Sequence, residues 1–245
     1  MRETYYKRSY FAVAVACTSL LSLIALNEMI AGTPASPAEG SSVSGVVKFE
    51  GTAPPPTVIN MAQDPLCAST RATTEDIVAD GKGGLENVVV YVSDGLTATN
   101  FPMPTEPAVM EQKGCLYHPH VLAMRAGQTL KVINADQTTH NIHPMPANNR
   151  EWNVSQPKGV DIERTFAREE ISIPVKCNIH PWMHSFIAVI NNPYFAVSGE
   201  GGKFELKDLP AGTYTVTAWH EKLGTRMQKI TVAAGEAKTV EFIFK

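Results

Sequence analysis

The run Cys177-Asn178-Ile179-His180-Pro181-Trp182-Met183 places a thiol, an imidazole and a thioether three residues apart in turn. One loop of this length can wrap all three side chains around a single metal ion. Thiolate, imidazole and thioether are soft or borderline donors. Together they suit copper moving between its two oxidation states, with two histidines and a cysteine in a plane and a weak axial methionine. Zinc also takes Cys and His, but the thioether argues against it. The loop supplies one histidine, so a second must come from elsewhere in the chain. The candidate is His140, in Asn134-Ala135-Asp136-Gln137-Thr138-Thr139-His140-Asn141.

The elements that must position these residues read as strands. Val88-Val89-Val90-Tyr91-Val92, Leu130-Lys131-Val132-Ile133, Ile171-Ser172-Ile173-Pro174-Val175 and Phe186-Ile187-Ala188-Val189-Ile190 are short runs rich in β-branched residues, bounded by Gly, Pro, Asn and Asp. Tyr214, Val216 and Ala218 alternate with threonines, and the chain closes on Val240, Phe242 and Phe244. Such patterning indicates β-sandwiches, and no segment after Gly40 carries a long helical period. Phe101 to Pro107 reads as a proline-rich linker.

Gly127-Gln128-Thr129-Leu130-Lys131-Val132-Ile133-Asn134-Ala135-Asp136, followed by His140-Asn141, resembles the small cupredoxins, which run from a glycine turn through a strand to Asn-x-Asp and the first copper histidine. The loop Cys177-x2-His180-Pro181-x-Met183 is similar to the short ligand loop of the amicyanins, as is His140-Asn141-Ile142-His143 at the first ligand. The resemblance covers about residues 108–191. It implies one type 1 copper ion held by His140, Cys177, His180 and Met183 in a rigid Greek-key sandwich. It further implies that Asn141 ties the two ligand loops together with Asn178 beside it. The His180 edge is then the electron exit, with Pro181 and Trp182 on the docking surface. Ser185 stands where many cupredoxins have Gly or Ala, and it is still small.

Gly45 to Phe49, Leu85 to Val92 and Gly202 to Tyr214 resemble the carboxypeptidase regulatory-like (transthyretin-like) sandwich. The expected organisation is therefore all-β. A cupredoxin unit at 108–191 is inserted between two parts of a second small sandwich, 42–98 and 193–245. Two domains in series, or one enlarged sandwich, are the alternatives.

Arg2, Lys7 and Arg8 precede the apolar run from Phe11 to Leu26, and small residues follow. Residues 1–32 thus read as a signal peptide or membrane anchor and 33–41 as a linker. The rest of the chain is expected to be periplasmic or otherwise extracytoplasmic, with membrane contact only if the leader is retained. In that oxidising compartment Cys67 and Cys115 form an even pair and are expected to be disulfide-bonded. Cys17 belongs to the leader. A formal net charge of −3 without a basic patch gives no reason to expect nucleic-acid binding.

His143 and His184 neighbour ligands and read as surface residues. His118 and His120 share a face if they lie on a strand, and with Cys115 could form a second metal site. His220 carries no evident chemistry. By the resemblance, the function is transfer of single electrons between redox partners such as a cytochrome or a dehydrogenase, without catalysis. The multicopper oxidases link their metals through His-Cys-His, whereas Cys177 is flanked by Lys176 and Asn178. The alternative is a copper- or carbohydrate-binding module.

Overall fold

The computed structural model describes residues 40–245. The expected leader, Cys17 and residues 33–39 of the linker lie outside the described residues. Among the described residues no helix is long and apolar enough to cross a membrane. Apart from one short 3-10 turn, every regular element among the described residues is a strand. In chain order these are β1 (Ser41–Phe49), β2 (Val89–Asp94), β3 (Ala108–Lys113), β4 (Leu116–His118), β5 (Val121–Arg125), β6 (Thr129–Asn134), β7 (His140–Pro144) and β8 (Val154–Gln156). There follow β9 (Ile162–Thr165), β10 (Glu170–Lys176), β11 (His184–Ile190), β12 (Phe195–Val197), β13 (Lys203–Leu209), β14 (Gly212–His220), β15 (Gly224–Val232) and β16 (Ala237–Phe244).

Four sheets result, and they divide by sequence. The sheets β13-β1-β16 and β12-β2-β14-β15 use strands from the two ends of the described chain. The sheets β5-β11-β10-β7-β8 and β4-β3-β6-β9 use only strands between Ala108 and Ile190. In the first pair, β1 runs antiparallel to β13 and parallel to β16. In the second pair the parallel neighbours are β5 with β11 and β3 with β6.

Period-two alternation sets which face each strand buries. In β6, Leu130, Val132 and Asn134 are buried while their neighbours are half-buried; in β16, Val240, Phe242 and Phe244 are buried between more exposed residues. The outer sandwich closes over Val43, Val47, Val90, Leu206, Val216 and Phe244. The second sandwich, called metal-side for the candidate ligands it carries, closes over Met110, Tyr117, Leu130, Ile142, Phe166 and Ile187.

Two strands break the alternation for a physical reason. Val89 to Val92 in β2 and Ile187 to Ile190 in β11 are buried throughout. Val90 and Val92 face the outer core, and Ile187 and Val189 face the metal-side core. The residues between them, Val89, Tyr91, Ala188 and Ile190, meet with Val121 in a third apolar cluster, where the two sandwiches pack together. Strands covered on both faces read as continuous apolar runs.

Residues 58–73 depart from the expected boundary. Within the span assigned to the outer sandwich, Met61 and Cys67 join the metal-side core instead, and the Cys67–Cys115 disulfide holds them there with the two Cα atoms 5.7 Å apart.

Candidate metal centre

The loop between β10 and β11 is closed by its own backbone. Cys177 N–H donates to the Met183 carbonyl at 3.1 Å, and Met183 N–H donates to the His180 carbonyl at 2.9 Å. These bonds turn the spacing of three into convergence: Cys177, His180 and Met183 are all buried. His140 opens β7 on the neighbouring strand and is also fully buried. Its Nδ1 lies 2.8 Å from His180 Nδ1. The Cys177 Sγ lies 3.8 Å from that same His180 nitrogen. Ligand atoms of His140, Cys177 and His180 fall within 4.8 Å of one another, which is the spread of donors around one ion. Met183 packs in the same cluster.

Asn141 joins the two ligand segments. Its backbone N–H points at Cys177 Sγ at 3.5 Å, as does His180 N–H at 3.4 Å. Its side-chain Oδ1 accepts from Asn178 N–H at 2.5 Å and Ile179 N–H at 3.3 Å. Asn178 thus acts through its main chain, while its side chain meets His143. Asn141→Ala leaves two loop N–H groups without their acceptor, and each lost bond of this kind costs about 1–3 kcal/mol where water cannot replace it. The expected result is a fall in stability of about 2 kcal/mol or somewhat more, measured by urea unfolding of the metal-free protein; an unchanged midpoint would show that Asn141 does not tie the loop.

The outward nitrogens of both histidines are held by carboxylates: Asp136, quoted in the sequence only as part of Asn-x-Asp, and Asp64, which the sequence reading did not single out. His140 Nε2 lies 2.9 Å from Asp136 Oδ2, and His180 Nε2 lies 2.9 Å from Asp64 Oδ2. A carboxylate on one imidazole nitrogen fixes the tautomer and leaves the other nitrogen free to ligate. Burial pushes the His140 pKa down, against the opposing pull of Asp136, and so favours the neutral, ligating imidazole. Asp64 is held down at about 2, chiefly by hydrogen bonds from Thr138 and His180. Asp136 also accepts from Gly114 N–H and Cys115 N–H at 2.7 and 2.8 Å. It thereby caps the tight turn between β3 and β4, where Gly114 and Cys115 both have positive φ. Asp136 could have been found from its place four residues before His140. Asp64 gave no local signal beyond its position three residues before Cys67.

The edge of His180 that was expected to face outward is covered. His180 is only 2% exposed, because the turn carrying Asp64 and Cys67 lies over its Nε2, with Cys67 Sγ at 3.9 Å. Trp182 is half-buried, its ring centroid 5.0 Å from that of His180 and its Nε1–H donating to the Cys115 carbonyl at 3.1 Å. Of the expected docking residues, Pro181 alone is exposed.

The remaining histidines separate. Cys115 is committed to the disulfide, His118 is exposed on Lys113 and His120 is buried; these three do not form a site, because β4 ends at His118 and the chain turns before His120. His143 pairs with Glu151 at 2.6 Å. His184 is half-buried rather than a surface residue. His220 is buried, and that burial lowers its pKa to about 4.

Residues 188–240 match the family described as polysaccharide lyase family 4, domain II, of fibronectin type III-like class. The model that matches this stretch is therefore not the regulatory-like one. No curated protein matches the chain. Among solved structures, a copper-containing nitrite reductase from Thermus scotoductus is 18% identical, covering 40% of this chain and 25% of its own, with a TM-score of 0.33. The chain thus spans a quarter of that enzyme's length. A purple cupredoxin from Nitrosopumilus maritimus is 23% identical over 34% of this chain and 99% of its own, with a TM-score of 0.30. Amicyanin from Paracoccus versutus is 19% identical over 41% and 97%, with a TM-score of 0.32. The described chain is all-β, and the strands between Ala108 and Ile190 form two sheets of their own.

Proposed function

We propose that this protein is an extracytoplasmic type 1 copper protein that carries single electrons between redox partners. The observation that supports it most is the convergence of His140 Nδ1, His180 Nδ1 and Cys177 Sγ in a buried pocket beside Met183. The outward imidazole nitrogens are already occupied by Asp136 and Asp64. Two neutral imidazoles, a thiolate and a thioether are the donor set of blue copper, which supplies one-electron chemistry when bound. The protein's own part is to hold those donors still. The closed loop, the Asn141 link and the two carboxylates restrain each ligand from a different element, so little rearranges when the charge changes. The N–H groups of Asn141 and His180 aimed at Cys177 Sγ stabilise negative charge on sulfur and tune the potential. Partners dock over exposed Ile179 and Pro181 and the turn carrying Asp64.

Carbohydrate binding has less support. It needs aromatic rings displayed on one face, and Tyr214 is buried with its hydroxyl on the Pro210 carbonyl, while Trp219 packs against Phe186. The deciding experiment is an absorption and paramagnetic-resonance spectrum of the copper-loaded protein during a redox titration. A blue band that bleaches and returns reversibly is expected; copper that binds without that band would sink the proposal.

Met183→Leu tests the axial role. It keeps the side-chain volume and removes a donor that favours the cupric state. The variant should stay blue and bind copper with a raised potential, measured by titration against mediators. Loss of copper altogether would show that Met183 holds the ion rather than tunes it.

A further inference from the structure

A second cluster of donors lies where the two sandwiches meet. His120 follows β4, His184 opens β11, and Glu221 follows β14 in the outer sandwich. A ring nitrogen of each histidine and a carboxylate oxygen of Glu221 lie within 4.8 Å of one another, and the two imidazole centroids are 5.4 Å apart.

Hydrogen bonding within the cluster leaves donors over. His184 Nδ1 faces the Trp182 carbonyl at 3.2 Å. A carbonyl can only accept, so that nitrogen carries the proton and Nε2 keeps its lone pair. That Nε2 is buried and has no partner. The Glu221 side chain is 1% exposed. Its Oε1 meets His120 Nε2, while its Oε2 has no hydrogen bond and only Lys222 Nζ at 3.7 Å. Buried polar atoms in folded proteins are nearly always hydrogen-bonded, and these two are not. The contact of His120 Nε2 with Glu221 Oε1 accounts for that oxygen alone and leaves Glu221 Oε2 and His184 Nε2 without a hydrogen bond. An imidazole anchored to a backbone carbonyl through one nitrogen, with the other free, is the usual posture of a metal-ligating histidine.

We infer that His120, His184 and Glu221 form a second metal site, separate from the Cys177 centre, for a borderline divalent ion of the zinc or cupric kind. Two imidazoles and a carboxylate are the donors such ions take. Glu75, whose Oε2 is 3.9 Å from His120 Nδ1 and whose side chain is 39% exposed, stands on the solvent side of the cluster. Because Glu221 comes from the other sandwich, the ion would clamp the two together.

The test uses the full chain loaded with a single equivalent of copper and reduced, so that the cuprous ion fills the thiolate and thioether centre at Cys177 and leaves the second site open, and adds zinc alone. Calorimetry should show one further zinc equivalent, and the thermal midpoint should rise with zinc concentration as binding to the folded state requires. Glu221→Gln and, separately, His120→Asn should each weaken zinc binding at least tenfold. The visible spectrum of the copper, read after reoxidation, should stay unchanged, which keeps this result distinct from any failure of the first centre. Absence of a second equivalent in the unmodified protein, or zinc binding equally well in both variants, would overturn the site.

Discussion

Cys177→Ser is expected to abolish the visible charge-transfer band of the copper-loaded protein while leaving a folded β structure. The colour of a blue copper site arises from the bond between a thiolate and the cupric ion. A serine hydroxyl stays protonated at neutral pH and gives no such bond. Cys177 is the free cysteine among the described residues and is buried, so the change exchanges one small buried side chain for another. The N–H groups of Asn141 and His180 that face the sulfur can still find an acceptor in the hydroxyl oxygen. Loss of at least nine-tenths of the band, with an unaltered circular dichroism spectrum, is therefore the expected outcome. A variant that stayed blue would remove Cys177 from the centre. His140→Ala offers the contrast: it opens the ligand plane, and added imidazole should restore colour.

Replacing both Cys67 and Cys115 with serine should cost roughly 2–4 kcal/mol of stability. The disulfide spans 48 residues, and cross-linking a loop of that length removes chain entropy from the unfolded state worth up to about 4 kcal/mol. Both sulfurs are buried in the metal-side core, so two hydroxyls in their place add a desolvation penalty. Urea unfolding measures the loss, and a change under about 0.5 kcal/mol, the scale of an ordinary surface substitution, would show that the cross-link does not staple the 58–73 segment. The double variant has a second readout. The turn bearing Asp64 is anchored by this bond, so its release should uncover His180 Nε2 and speed electron exchange with small soluble oxidants. Unchanged exchange would mean that Asp64 and Thr138 keep the turn in place by themselves.

Local patterning was legible in the sequence, and so was the Cys67–Cys115 pairing, but the other side-chain contacts across the fold were not. Cys177, His180 and Met183 announce themselves because one short loop carries them, and the β-branched runs show where strands lie. The runs Val88–Val92 and Phe186–Ile190 could be recognised as strands, but their unbroken apolarity had a cause visible only in three dimensions, burial on both faces at the seam. Asp64 is far from His180 in the chain and reaches it by way of the Cys67 cross-link, so the covered imidazole edge could not be foreseen from the ligand loop. The same limit applied to the histidines. Strand alternation grouped His118 with His120, yet the chain turns between them and His120 faces Glu221, more than a hundred residues away, instead.

The pairing of β1 with β16 bears on the order in which the molecule assembles. Gly45 lies beside Val240, so nearly the whole described chain must be drawn in before that parallel ladder can form. Contacts between residues this far apart in sequence are slow to form, because the intervening chain loses its freedom before the contact rewards it. The sheets between Ala108 and Ile190 need no such closure, and their formation brings Ala126 and Ile190 together by a backbone hydrogen bond of 2.9 Å. That early closure shortens the effective loop separating the two ends. Pulse-labelled hydrogen exchange during refolding should therefore protect amides of β6, β10 and β11 before those of β1 and β16. Simultaneous protection of both groups would mean that the chain closes from its ends and its centre in one step.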